Sequence, residues 1–192
     1  MTESKTKNKL SLRTRALVEA AVMIALATVL GYVRLYRFPA GGSVDFAMVP
    51  ILLYCLRWGP KWSLGCCFVN GVLQFFLGGG IAISWQSMLL DYVVAYTLVF
   101  LCGFAAGKKL GWLWGTILGG FGRWVSLTLS GGLLWYMYMP EEFLGIPMVN
   151  PWVYSILLNG LLIVVVTVVN LIVLGVFQAA PPLRKSLMAR QN

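Results

Sequence analysis

Histidine is absent from this sequence. That removes the commonest general base, metal ligand and near-neutral pH switch. Acids are scarce as well, with six Asp and Glu against 15 Lys and Arg in 192 residues. Charged residues make up 11%, where soluble domains carry roughly 25%. The four cysteines, Cys55, Cys66, Cys67 and Cys102, show no CxxC spacing. They read as small apolar fillers and not as a redox or metal site. There is no GxxxxGK[ST] loop and no acidic cluster, so neither nucleotide hydrolysis nor a catalytic metal is expected on this chain. The 21 glycines follow no fixed period, which excludes a collagen-like chain. An enzyme is therefore not expected, and no catalytic residue and no metal ligand is assigned.

What the sequence has is apolar surface. Apolar residues reach 59%, with mean hydropathy +0.82. That is too much to hide inside 192 residues and too much for a disordered chain. The class that fits is an all-α polytopic membrane protein. Six segments predict spans: roughly 16–33, 44–56, 62–77, 87–107, 112–134 and 152–177. Together they predict a six-helix bundle over 12–180. A polar, disordered basic tail is expected at 1–11 and a basic cytoplasmic tail at 181–192. The second and third segments are short for a full span, and Pro50 is expected to kink the second.

Orientation follows from the basic residues. With the N-terminus inside, twelve of the fifteen Lys and Arg fall on inner segments. Only Arg34 and Arg37 fall outside, and Arg123 falls within the fifth segment. Both termini are then cytoplasmic. The charges are scattered over four segments, which suits the headgroups of the inner lipid leaflet and not nucleic acid. Lys5–Arg15 followed by Ala25-Leu26-Ala27 has the outline of a signal peptide, but the apolar run continues through Val33, so the segment reads as a retained helix.

Polar residues inside membrane segments are costly and mark candidate sites. With orientation assigned, Asp91, Tyr154 and Asn159 fall in the outer third, close to Trp135 at the outer surface. Such a pocket suits a small cationic heterocycle. The carboxylate supplies charge, the aromatic face supplies stacking and cation–π attraction, and the amide supplies both donors and acceptors. Other readings stand beside this one. Trp135 and Trp152 also suit an interfacial aromatic belt. Asn159 and Asn170 also suit hydrogen-bonding glue between helices, the better reading for Asn170. Arg123 could pair with Asp91 but lies about three turns too deep. Ala21 and Ala25, reinforced by Ala16, Ala20 and Ala27, form a small-x3-small stripe, as do Gly115 and Gly119. Such stripes serve close helix packing within the chain or against a partner.

Five motifs now make the sequence recognisable: Glu19-Ala-Ala-Val-Met-Ile-Ala-Leu-Ala27; Ser43-Val-Asp-Phe-Ala-Met-Val-Pro-Ile51 with Leu56-Arg-Trp-Gly59; Leu89-Leu-Asp-Tyr92; Ser130-Gly-Gly-Leu-Leu-Trp135; and Tyr154-Ser-Ile-Leu-Leu-Asn-Gly160. In this order and spacing, from about Leu12 to Phe177, the chain resembles the thiamine-specific substrate-binding subunit (S component) of energy-coupling factor transporters. The resemblance implies a bacterial cell-membrane protein that captures thiamine from outside and hydrolyses nothing itself. A transmembrane coupling subunit and two ATPase subunits would power release, with ATP bound only by those partners and no cofactor on this chain. It further implies substrate-binding roles for Asp91, Tyr92, Gly131, Trp135, Tyr154 and Asn159, and a partner-docking role for Ala21 and Ala25.

Two positions depart from the family pattern. Leu127 stands where the family usually has His, eight residues before the stacking Trp, so a contact is lost or supplied by Trp124 or Thr128. Gln86 stands five residues before the carboxylate, where four is usual. Two alternatives remain open at this point. One is a self-sufficient proton-coupled transporter with Asp91 as proton carrier. The other is an S component for another cationic heterocyclic vitamin or precursor. The loop Arg34–Ser43, with Pro39, Gly41 and Gly42, is the candidate lid.

Overall fold

The computed structural model describes residues 2–38 and 42–182, with backbone alone for 2–11. Six helical segments run through the described residues: α1 (Thr2–Gly31), α2 (Met48–Trp58), α3 (Pro60–Leu77), α4 (Trp85–Ala105), α5 (Gly111–Leu133) and α6 (Pro151–Ala179). Two small antiparallel hairpins join them. β1 (Arg34–Arg37) pairs with β2 (Ser43–Asp45), and β3 (Glu142–Phe143) pairs with β4 (Ile146–Pro147). Three helical stretches are long and apolar enough to cross a membrane: Leu12–Gly31, Trp85–Ala105 and Pro151–Ala179. Their outward faces stay uncovered, with Leu17, Val29, Val164 and Ile172 all about 60% exposed. An apolar collar of that kind has lipid as its natural solvent.

Some expectations change. The backbone of 2–11 continues α1 as helix where a tail was expected, in keeping with the good helix formers Glu3, Lys5, Lys7, Lys9 and Leu10. The basic residues expected in the C-terminal tail, Arg184, Lys185 and Arg190, lie outside the described residues. The second segment begins at Met48, because Ser43–Asp45 is strand. Pro50 therefore sits in the first turn of α2, where its missing N–H is an orphan in any case, and the predicted kink is not required. Asp45 sits at the end of β2, where it accepts from Ala47 N at 3.0 Å and Ser43 Oγ at 2.9 Å. Arg57, counted from sequence as a loop charge, is buried in the last turn of α2. Its Nε lies 2.6 Å from Glu19 Oε1 on α1.

Glycines let the helices approach. A methyl at Gly119 would touch Val99, and one at Gly115 would crowd Cys102 at 2.9 Å, so this stripe packs α5 on α4 within the chain. Cys55, Cys66, Cys67 and Cys102 are free and buried, with Cys55 and Cys67 in sulfur contact at 3.7 Å. Asn170 spends its amide nitrogen on Val166 O of its own helix at 2.7 Å, so its hydrogen bond lies within α6 and not between helices.

Candidate functional site

Asp91 occupies an unusual turn. Within α4 the residues Leu89–Val94 form π-helix, and Leu98–Ala105 form 3-10 helix. A π turn adds a residue to the helical circuit and recurs at functional sites. Here it carries the one carboxylate in the middle helices. Ser126 Oγ of α5 donates to the Leu90 carbonyl in this turn at 2.6 Å. Asp91 Oδ2 accepts the indole N–H of Trp135 at 2.9 Å, and the Ser130 hydroxyl stands beside the same carboxylate. No Lys or Arg among the described residues forms an ion pair with Asp91.

Trp135 lies just past the end of α5. The amides of Leu134 and Trp135 both close onto Ser130 O, at 2.8 and 3.3 Å, and this terminal turn aims the indole at α4. On the opposite side α6 begins at a regular cap. Asn150 Oδ1 accepts from Trp152 N at 2.9 Å, with Pro151 at the first helical position. Two turns in, Asn159 Nδ2 donates to Leu127 O, Ser155 O and Ser155 Oγ at 3.3, 3.0 and 3.1 Å. All three bonds use the nitrogen, so the acceptor capacity of the amide oxygen is not spent on them. Gly131 permits this approach, because a methyl there would collide with Ser155 Oγ and lie 3.3 Å from Asn159 Nδ2.

Asp91 and Trp135 thus meet between α4 and α5, and Gly131 and Asn159 meet between α5 and α6. Two predicted residues are engaged elsewhere. The Tyr92 hydroxyl accepts from Ile81 N at 2.9 Å and donates to Ile81 O at 3.3 Å, so it ties down the α3–α4 loop. The Tyr154 ring meets Phe143 of β3 edge-on, with centroids 5.4 Å apart. Gln86 is exposed. Arg123 does not reach Asp91. It donates to Tyr96 Oη at 3.2 Å, contacts Met48 Sδ at 3.0 Å and lies over the Tyr96 ring at 4.3 Å. Those partners were missed from sequence, since they lie 75 and 27 residues from Arg123 and no helical periodicity links them.

The hairpin β1–β2 lies over the bundle. At its tip Gly42 has φ +84° and presses on Leu162 of α6, where any side chain would clash. Val44 is buried beneath it. Pro39 and Gly41 of the expected lid lie outside the described residues. On the far side of the molecule the alanine stripe divides. Ala16, Ala20 and Ala27 are buried, whereas Ala21 and Ala25 are exposed. The exposed pair lines an α1–α3 groove of about 850 Å³ together with Thr28, Gly65, Val69 and Leu73.

An apolar helical body with three helices long enough to cross a membrane defines the class, a polytopic membrane protein. The comparisons with known proteins carry the identification further. The sequence pattern described as thiamine transporter protein matches residues 17–185, and the chain belongs to that family. It is 31% identical over 186 residues to thiamine transporter ThiT of Bacillus subtilis, covering 88% of this chain and 94% of that one. It is 28% identical over 182 residues to ThiT of Lacticaseibacillus paracasei, covering 86% and 88%. Its fold matches the solved structure of ThiT from Listeria monocytogenes with TM-score 0.76 at 21% identity, over 89% of this chain and 97% of that one. The protein is accordingly a multi-pass bacterial membrane protein, and a transport protein rather than an enzyme.

Proposed function

We propose that the chain captures thiamine from outside the cell as the substrate-binding subunit of an energy-coupling factor importer. In this reading all six helical segments span the membrane, with both termini inside. The observation that carries it is the Asp91–Trp135 pair: a carboxylate held by one neutral donor, the indole N–H. Thiamine has a permanent positive charge and an aminopyrimidine edge. The thiazolium would supply the counter-charge that Asp91 lacks, and Trp135 would stack on the ring. The free oxygen of Asn159 would accept from the exocyclic amine. The hairpin Arg34–Asp45 would act as the lid over the occupied site, since it already rests on α6 at Leu162. Tyr92 would act through the α3–α4 loop and Tyr154 through the β3–β4 hairpin.

Release would require partners, a transmembrane coupling subunit and two ATPase subunits. The groove at Ala21 and Ala25 is the face suited to that coupling subunit, because small side chains allow a partner helix to approach closely. The test begins with isothermal calorimetry on the purified chain. Thiamine should give saturable heat that is lost in Trp135→Ala. An absence of heat from the wild type would overturn the thiamine assignment. Ala25→Trp should keep that binding while abolishing ATP-dependent uptake in vesicles containing all subunits. Gradient-driven uptake by this chain alone would favour a proton-coupled transporter instead.

A further inference from the structure

The helix face that carries Leu127 also carries two polar groups with nothing to bond. Trp124 Nε1 and Thr128 Oγ1 are both fully buried and lack a hydrogen-bond partner among the described residues. They are four residues apart on α5, which places them on one face. Thr128 is only 7% exposed. Its unbonded hydroxyl contrasts with three other helical threonines. Thr28, Thr97 and Thr116 each donate to the carbonyl four residues back, at 3.0, 2.6 and 2.7 Å. The contrast holds for the indole too, since Trp135 spends its N–H on Asp91.

The stretch of α5 that carries them packs on α6 beside Asn159, which donates to Leu127 O at 3.3 Å. Ser155 Oγ donates to the backbone carbonyl of Thr128 at 2.9 Å. Trp124 Nε1 lies 3.6 Å from where a side chain on Gly160 would begin. A buried polar group without a partner costs free energy until one arrives, and two such groups beside a ligand-facing amide mark where a polar ligand edge would seat.

We propose that Trp124 and Thr128 form a hydrogen-bonding subsite for the aminopyrimidine end of the ligand, in place of the polar contact that Leu127 cannot make. The Trp124 N–H would donate to a ring nitrogen, and the Thr128 hydroxyl would accept from the exocyclic amine. This rests on the thiamine reading above, and its test separates the two. The probes are thiamine and an analogue with a plain benzyl ring in place of the aminopyrimidine, each titrated calorimetrically into the full chain. Trp124→Phe and Thr128→Val should each bind thiamine about ten-fold more weakly. Both should bind the benzyl analogue as the wild type does, so the preference for thiamine shrinks. Thr128→Ser, which keeps the hydroxyl, should restore most of the thiamine affinity. Equal thiamine affinity in wild type and variants would overturn the subsite. So would parallel losses for both ligands, which would mark a packing role. If the wild type itself gives no heat with thiamine, the thiamine reading fails and this subsite with it.

Discussion

Glu19 and Asp91 are both carboxylates within the helical body, and they are held by opposite means. Glu19 is gripped by Arg57 in a forked contact, with Nε at 2.6 Å and Nη2 at 3.3 Å, and both side chains are largely buried. Among the described residues Asp91 has neutral company, the Trp135 indole at 2.9 Å and the Ser130 hydroxyl nearby. The first charge is neutralised inside the fold. The second is oriented by the fold without a counter-charge among the described residues. A buried carboxylate needs a partner, a proton or a ligand. The comparison therefore assigns Glu19 to architecture and supports the binding role proposed for Asp91. It also fits their places. The Glu19–Arg57 pair joins α1 to α2 beside the Tyr54 hydroxyl, which donates to Ala16 O at 3.1 Å. Asp91 sits in a π turn that opens the regular helix.

The largest effect should come from breaking the architectural pair. Arg57→Gln leaves the Glu19 carboxylate buried without its cation, which should destabilise the protein by about 3–5 kcal/mol. Thermal unfolding in detergent would measure this, and the thiamine affinity of the molecules that remain folded should stay within about two-fold of wild type. A large loss of affinity at unchanged stability would reverse the assignment of Glu19 and Arg57. Asp91→Asn should do the converse. It removes the charge while keeping shape and an acceptor for the indole, so stability should hold or rise slightly. Thiamine affinity should fall by on the order of a hundred-fold, about 2.7 kcal/mol, the scale of a charge-assisted contact in a partly buried site.

How far each side of this comparison was legible in the sequence differs for a physical reason. Asp91, Trp135 and Asn159 could be singled out because polar residues stand out in apolar segments and because depth can be counted along a helix. The alanine stripe was legible as a stripe, but which alanines face outward depends on how α1 is rotated against α2 and α3. Only packing decides that, and it separates Ala21 and Ala25 from Ala16, Ala20 and Ala27. The Glu19–Arg57 pair was not legible, since 38 residues separate its members and Arg57 reads naturally as an inner-surface charge. The start of α2 was misplaced because the apolar run Val44–Leu56 does not reveal that its first residues pair as a strand with Arg34–Arg37. The π turn at Leu89–Val94 leaves no periodic trace in so uniformly apolar a segment.

The smallest effect tests how finely the neutral neighbours of Asp91 are tuned. Ser130 is fully buried, and its Oγ makes no hydrogen bond of good geometry, although it stands beside the carboxylate. If Asp91 is positioned chiefly by Trp135, Ser130→Ala should weaken thiamine binding only about two-fold, the lower end of what one neutral hydrogen bond contributes. Stability should rise slightly, because an unpartnered buried hydroxyl is removed at little cost in volume. A loss of ten-fold or more in the same calorimetric titration would mean that the hydroxyl turns onto the carboxylate once the cation is bound. The empty and occupied sites would then hold Asp91 differently, and the neutral grip on this carboxylate would be a two-donor clamp completed by the ligand itself. Glu19 offers no such freedom, because its partner is already within contact distance in the folded chain.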